Sequence, residues 1–125
     1  MLNQKLKLVK ELNEGLWGYP NESVHLDKAE GLLTDLLLHF PENTLVLINI
    51  GALLCDQGKY KEAMVHLKKA EQLGTPDKNL YLNIGIAMMN ISVRMHKKAL
   101  DYFNKAKDLD AAEFSIAAYF DPQGY

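Results

Sequence analysis

The middle of the chain carries apolar side chains at the spacing of an amphipathic helix. Over residues 44–77 they recur every three to four positions, stop at Gly58 and then resume. The positions are Leu47, Ile50, Gly51 and Leu54 before the stop, and Ala63, Leu67 and Ala70 after it. This period over two runs, with a glycine between them, predicts two amphipathic helices joined by a tight turn.

The same pattern recurs on both sides of this stretch at nearly constant spacing. Downstream, the first run is repeated by Tyr81, Ile84, Gly85 and Met88. The second run is repeated by Ala99, Phe103 and Ala106, so the turn between the two runs is two residues longer in this copy. Upstream, Ala29, Leu33 and Leu36 precede the second run by the same interval that separates Gly51 from Gly85. Several matches at one period of about 34 residues indicate an internal repeat and not a lone helical hairpin.

The set of residues resembles the tetratricopeptide (TPR) repeat, in which an apolar residue and Gly in the first helix are followed by Ala and a large residue in the second. The matching residues are Leu47, Ile50, Gly51, Leu54, Gly58, Tyr60, Ala63, Leu67, Ala70 and Pro76. The resemblance implies an all-α, TPR-like antiparallel helix-pair solenoid. We expect one domain over residues 1–125, with repeats over about 2–43, 44–77 and 78–110 and a capping helix within 111–125.

Breaks in the pattern give approximate bounds for the remaining helices. We expect them over about 2–16, 24–40, 78–91 and 97–109. Between the first two, Trp17 and Tyr19 stand in a long irregular turn, where they either plug the end of the first pair or contact a partner. A second enlarged turn, over residues 90–96, has Arg94 where the central copy has Gly58, and we expect it to contact the partner. Its apolar residues are Ile91, Val93 and Met95.

Composition narrows the class of protein without changing this fold. Hydrophobic residues make up 48% of the 125 and charged residues 24%, which is typical of a folded domain. No apolar run reaches the roughly 18 residues of a membrane span, and a net charge of −2 gives no general attraction to nucleic acid or acidic membranes. The single cysteine, Cys55, excludes an intrachain disulfide and favours a reducing compartment. We therefore expect a cytoplasmic protein in which Cys55 is a small apolar filler.

Residues that could carry catalysis do not cluster in the sequence. The histidines His25, His39, His66 and His96 stand on four different segments. Glu62 and His66 stand one helical turn apart, a pair that is usually a surface contact. The glycines are explained by turns and close packing, so we identify no phosphate-binding loop. We expect no catalysis, no metal site and no cofactor, with two alternatives left open. One is a hydrolase or nuclease that uses His66 or His96, and the other is a nucleic-acid binder that uses Arg94, Lys97 and Lys98.

The resemblance also implies a binding surface, because the first helix of each TPR pair lines a concave groove. The groove positions map to Leu45, Ile48, Ala52, Cys55, Asp56, Asn79, Leu82, Ile86, Met89 and Asn90. Most are apolar, so we expect a partner or the chain's own tail to cover them. Asn49 and Asn83, one repeat apart, either bond a guest backbone or pack between helices.

The same positions argue against binding of a peptide through its C-terminal carboxylate. Some TPR chaperone adaptors clamp a C-terminal carboxylate with Lys and Arg, whereas the equivalent positions here hold Ile48, Leu82 and Asn79. We expect a non-catalytic module that binds a protein or peptide, with no affinity for nucleic acid or membranes. By analogy it is an immunity protein, with a TPR secretion chaperone or scaffold adaptor as the alternative. We expect residues 114–125 to dock on the third repeat, or to mediate a homodimer.

Overall fold

The computed structural model describes residues 2–13, 22–74 and 76–109, and they are helical apart from short connections. These ranges contain six α-helices, one 3-10 helix and no β-strand. The helices are α1 (Leu2–Asn13), α2 (Glu22–His39), α3 (Thr44–Asp56), α4 (Tyr60–Gln72), α5 (Lys78–Ile91), the 3-10 helix (Val93–Met95) and α6 (His96–Ala106). The predicted all-α fold class is confirmed. None of the helices in these ranges has the length and apolar character of a membrane span.

Local chemistry explains where the helices begin and end. The side chains of Asn43 and Asp77, which stand at equivalent positions of the repeat, each accept a hydrogen bond from a backbone N–H of the first turn that follows. Such caps satisfy N–H groups that the helix itself leaves unpaired. Gly58 and Gly74 follow α3 and α4 with φ of 77° and 85°, a left-handed conformation that glycine adopts without a steric penalty.

Most predicted bounds lie within two residues of the observed ones, but the enlarged turn differs. Asn90 and Ile91 are the last residues of α5 and not part of a turn. Ser92 ends the helix because its hydroxyl accepts from the Arg94 N–H at 3.2 Å and starts the 3-10 helix. Val93 is 78% exposed, whereas Met95 packs against the core. The last helix ends at Ala106 and not at residue 109. The predictions for Trp17, Tyr19 and the cap over 111–125 lie outside the described residues.

The helices pack mainly as sequential pairs. Contacts are most extensive within α3–α4 and α5–α6, whereas those within α1–α2 are as extensive as those between α4 and α5. Each pair also contacts the next, through α2–α3 and α4–α5. The connection between α3 and α4 is only residues 57–59, so these two helices run antiparallel. In addition, α3 contacts α5, which brings the first helices of two successive pairs side by side.

Glycines allow the closest approach within two of the pairs. A Cβ built on Gly51 of α3 would lie 2.5 Å from Cγ and Cδ2 of Leu67 in α4. A Cβ on Gly85 of α5 would lie 2.6 Å from Cε1 of Phe103 in α6. Both glycines are therefore explained by packing, and the second contact joins the repeat equivalents of the residues in the first.

A single hydrophobic core runs through the described helices. Its members are aliphatic or small, and every described α-helix from α1 to α6 contributes at least one. They are Leu6, Ala29, Leu33, Leu36, Val46, Leu47, Ile48, Ile50, Ala52, Leu53, Leu54, Cys55, Ala63, Leu67, Ala70, Leu80, Ile84, Ala87, Met88 and Ala99. Ala29, Ala63 and Ala99, predicted to be equivalent, are all buried, which lets the second helix of each pair approach its neighbours closely.

Candidate functional site

The predicted groove positions separate into two sets according to their exposure. The buried set consists of Ile48, Asn49, Ala52, Cys55, Asn79, Asn83 and Ile86. The half-exposed set consists of Leu45, Asp56, Leu82, Met89 and Asn90. In this structure, only the half-exposed set is placed where it can contact a partner.

Burial on α3 is explained by the position of α5. The Cys55 thiol donates to the backbone oxygen of Asn83 at 3.8 Å, so this face of α3 lies against α5. Ile48 and Ala52 precede Cys55 by two helical turns and one helical turn, and they share its face. Their apolar character therefore serves packing between helices. The two open ends of this stripe, Leu45 and Asp56, stay half-exposed.

The asparagines predicted to bond a guest are inside the protein. Asn49 and Asn83 are both fully buried. The Asn83 amide nitrogen donates to the Asn79 carbonyl at 2.8 Å, while its amide oxygen is buried and accepts no hydrogen bond from the described residues. An orphan acceptor of this kind costs about 1–3 kcal/mol. The burial favours packing between helices, the second of the two roles considered for these residues.

A cleft of about 320 Å³ opens beside the half-exposed set. Asn90 and Ile91, at the end of α5, form one wall. The other wall consists of Gly58, Lys59, Tyr60, Lys61 and Glu62. Asn90 is held in place because its amide nitrogen donates to the Ile86 carbonyl at 2.8 Å. Asp56 stands two residues before the cleft, in the position of α3 that Asn90 holds in α5 one repeat later.

The lining of this cleft is mainly apolar, and the start of α4 adds polar groups at its edge. Lys59 occupies the N-cap position of α4 and provides no side-chain hydrogen bond to the helix. The backbone N–H groups of the first turn therefore lack a side-chain cap, and Lys59 and Lys61 add two exposed cations. Sequence reasoning identified Asn90 but missed the wall from Gly58 to Glu62, because the predicted groove was drawn from first helices alone.

A smaller cleft of about 110 Å³ lies between α1 and the end of α2. It is lined by Leu2, Lys5, Leu36, His39 and Phe40. At its edge, the Asp35 carboxylate lies 3.4 Å from Lys5 Nζ and 3.8 Å from His39 Nδ1. Asp35 and His39 are four residues apart, so they form a second acid–histidine pair, which sequence reasoning overlooked. Both partners are largely exposed, and such pairs contribute little to stability.

Burial dominates the ionisation of two of the groups considered for chemistry, Cys55 and His66. Burial, followed by the charge of Asp56, raises the pKa of the Cys55 thiol to about 12, which keeps it protonated. Burial lowers the pKa of His66, and the charge of Lys69 lowers it further, whereas the charge of Glu62 opposes both effects. His96 Nε2 lies 3.3 Å from the Met89 carbonyl. The described residues contain no group of three metal-binding side chains.

A polar cluster joins α4 to α5 and α6. Lys68 donates to the Glu71 carboxylate at 2.7 Å and to the Tyr102 hydroxyl at 2.9 Å. Lys105 lies over the rings of Tyr81 and Tyr102, at 5.8 and 4.6 Å from their centroids. Partial burial would raise the pKa of Glu71, but the hydrogen bonds from Lys68 and Tyr102 outweigh it and lower this pKa. The cluster links the second and third pairs and is satisfied within the chain.

Comparison with known proteins adds no constraint on these sites. The chain matches no protein-family model, no curated protein and no solved structure.

Proposed function

We propose that the chain is a TPR-like helix-pair solenoid that acts by stoichiometric binding of a protein or peptide, without catalysis. Three features support this architecture. The first helices α3 and α5 begin with equivalent caps, Asn43 and Asp77. Each carries a glycine against a large side chain of the following helix. The two helices also lie side by side, as the first helices of stacked pairs do.

The cleft of about 320 Å³ carries the proposal of a binding site. Its volume reaches the lower end, about 300 Å³, of the range for small-molecule sites, so it can accept one large side chain of a partner. Tyr60 and Ile91 offer apolar and aromatic surface, while Asn90 and the start of α4 offer hydrogen bonds. Aromatic anchors that enter such clefts dominate many interfaces.

The rest of the interface follows the half-exposed set along the groove. Asp56 lies next to the cleft, and Leu45 lies near the opposite end of α3. Leu82 and Met89 extend the surface along α5. Ile48 and Ile86 are 1% and 6% exposed, so they support the surface from inside and do not contact the partner. A partner therefore meets a narrow path along α3 and α5 that ends in a mainly apolar cleft with polar groups at its edge.

The kind of partner is proposed from the TPR resemblance. A TPR-like binding module without catalysis suits a dedicated binder, such as an immunity protein that neutralises a toxin. A secretion chaperone that holds one client is the alternative. A cytoplasmic location accords with the lone buried cysteine, Cys55.

Site-specific photo-crosslinking tests the proposal. A benzophenone amino acid at Asn90 places the reactive group in the cleft, and the same group at Leu100, which is 60% exposed on α6, serves as the control. Expressed in the source cells, the Asn90 variant is expected to form one crosslinked species, identified by mass spectrometry. The Leu100 variant is expected to form none.

Affinity for the captured protein provides the quantitative arm. Asn90→Lys should weaken binding about tenfold or more, because it removes a cleft contact and adds a bulky cation, whereas Leu100→Lys should leave affinity unchanged. Circular dichroism checks that both variants keep their helices. Crosslinking from Leu100 with none from Asn90 would place the interface on the other side of the protein, and absence of both would refute protein binding.

A further inference from the structure

The end of the helix stack that carries the cleft of about 320 Å³ also carries an excess of positive charge. Residues 58–62 and the last residues of α5 form the two walls, so the turn between α3 and α4 lies beside the end of α5. Over residues 56–62 and 90–98 the acids are Asp56 and Glu62. The cations over the same two stretches are all exposed, and they are Lys59, Lys61, Arg94, Lys97 and Lys98.

These five cations are not neutralised by the described part of the chain. None of the five forms an ion pair with another described residue. By contrast, Lys5 and Lys68 lie 3.4 and 2.7 Å from carboxylates. The sequence has no acid between Asp77 and Asp101, so no acid stands close to Arg94 along the chain. An excess of one charge on a surface attracts groups of the opposite charge.

The cations flank the cleft on both sides. Lys59 and Lys61 belong to the lining of one wall. Arg94 follows Ile91 of the other wall by three residues, and its backbone N–H donates to the Ser92 hydroxyl at 3.2 Å within the 3-10 turn. The lining between them is mainly apolar. Such a cleft fits a large apolar side chain that has negative charges on either side of it.

We infer that the cleft binds an acidic segment of a protein partner. A large apolar side chain of the segment enters the cleft, and neighbouring Asp or Glu residues lie against Lys59, Lys61 and Arg94. The inference rests on the proposed function, which gives the cleft a protein partner, and it adds the chemistry of that partner. Hydrogen bonds between ionised groups are stronger than neutral ones, so these contacts favour acidic segments over neutral ones.

Two acids beside the cleft favour a peptide over a nucleic acid. Glu62 lines the cleft, and Asp56 stands two residues before it, where it is half-exposed. A nucleic acid carries a negative charge on every phosphate, and a continuous backbone across the cleft would meet both acids. A peptide can place its carboxylates against the cations and neutral residues beside Asp56 and Glu62.

Selection from a displayed library of random peptides tests the chemistry, with the full chain as the target. Each peptide lies between two glycine linkers, so that no free terminus is presented. Peptides that the wild type enriches and Asn90→Lys loses are expected to carry a large apolar residue with acidic residues close to it. Cleft-dependent peptides with neutral or basic residues there would overturn the inference and leave the proposed function standing. Absence of any cleft-dependent peptide would also overturn it, while crosslinking from Asn90 decides the proposed function separately.

Reversal of the three cations at the cleft tests their role in the full chain. The triple variant Lys59→Glu, Lys61→Glu and Arg94→Glu is expected to bind an enriched acidic peptide at least about tenfold more weakly than the wild type does. A peptide in which lysines replace the acids should recover the lost affinity on this variant. Failure of that exchange to restore binding would overturn the assigned contacts.

A second triple variant separates the local contacts from the net charge of the protein. Lys7→Glu, Lys69→Glu and Lys107→Glu change the net charge equally at exposed positions on α1, near the end of α4 and just after α6. This variant should keep the affinity for the acidic peptide, and circular dichroism checks that both triple variants keep their helices. An equal loss of affinity in the two would overturn the inference.

A labelled single-stranded DNA provides the test against a nucleic-acid partner. An oligonucleotide of about 20 bases is expected to bind at least about tenfold more weakly than the enriched acidic peptide at about 0.15 M salt. Equal or tighter binding of the DNA, abolished by the reversal of Lys59, Lys61 and Arg94, would assign these cations to a nucleic acid and overturn the inference.

Discussion

The contact between Gly51 and Leu67 makes a quantitative prediction about how closely α3 and α4 pack. Gly51→Ala adds a methyl group 2.5 Å from Leu67 Cγ and Cδ2, and Leu67 is fully buried. Since Cγ is not the free end of a side chain, relief requires movement of the helices. Overpacking of this kind costs about 1–3 kcal/mol. Alanine also favours the helix over glycine by about 1 kcal/mol, which offsets part of that cost.

Gly31 in α2 supplies the matched control. A Cβ there meets no atom within 4 Å, so Gly31→Ala should gain the helix preference alone and stabilise the protein by about 1 kcal/mol. Both variants gain the helix preference of alanine. The difference between their free energies of unfolding therefore isolates the cost of the contact with Leu67, about 1–3 kcal/mol. The free energy of unfolding of Gly85→Ala should lie between those of the two variants, because the Phe103 ring that the new methyl group meets is half-exposed and can turn outward.

Urea unfolding measures these differences as shifts in midpoint at constant slope. A double-mutant cycle then assigns the effect to one partner. Leu67→Ala alone should cost about 2–5 kcal/mol, and in that background Gly51→Ala should stabilise as Gly31→Ala does, because the clashing atoms are gone. If Gly51→Ala and Gly31→Ala shift the midpoint equally in the intact chain, α3 and α4 do not approach as described.

Two further outcomes follow from the titratable groups. Burial raises the pKa of the Cys55 thiol to about 12, so it should react with a disulfide reagent at least about tenfold more slowly than an exposed cysteine placed by Val93→Cys. Comparable rates in the native protein would contradict the burial of Cys55. Because the pKa of Glu71 is lowered in the folded protein, its pairing stabilises the fold at pH values above its ordinary pKa of 4.5. This contribution is lost as the pH falls through the lower pKa of the folded state. The free energy of unfolding of the wild type should therefore exceed that of Glu71→Gln by up to about 1 kcal/mol at pH 7, with the gap closing below pH 4.5, and a gap independent of pH would contradict it.

Much of the fold could be predicted because it depends on local pattern. Apolar spacing and the glycine at position 58 located α3 and α4, since a helix period and a left-handed turn each have a direct signal in sequence. The end of α5 was harder, because no glycine or proline marks it. Ser92 ends that helix by capping the 3-10 turn, a role that serine plays too often elsewhere to be decisive.

The candidate site was less predictable because exposure depends on neighbours. Spacing places Ile48 and Ile86 on the apolar faces of two successive first helices, but it does not say which helix covers each face. In the structure, Ile48 lies in the core, so an apolar groove position became a packing position. The cleft combines Asn90 with Tyr60, which belong to different predicted units. Only the relative placement of α4 and α5 brings these two residues together.

The order of contacts along the chain also governs how it folds. Every extensive contact among the described helices joins neighbours or next neighbours, such as α3 with α4 or α3 with α5. Formation of such contacts closes short loops, so topologies of this kind reach the native state quickly. The loop over residues 57–59 closes with a small entropy loss, so we expect the α3–α4 hairpin to form early. Helices α2 and α5 can then add independently on its two sides, so folding has no obligatory direction along the chain.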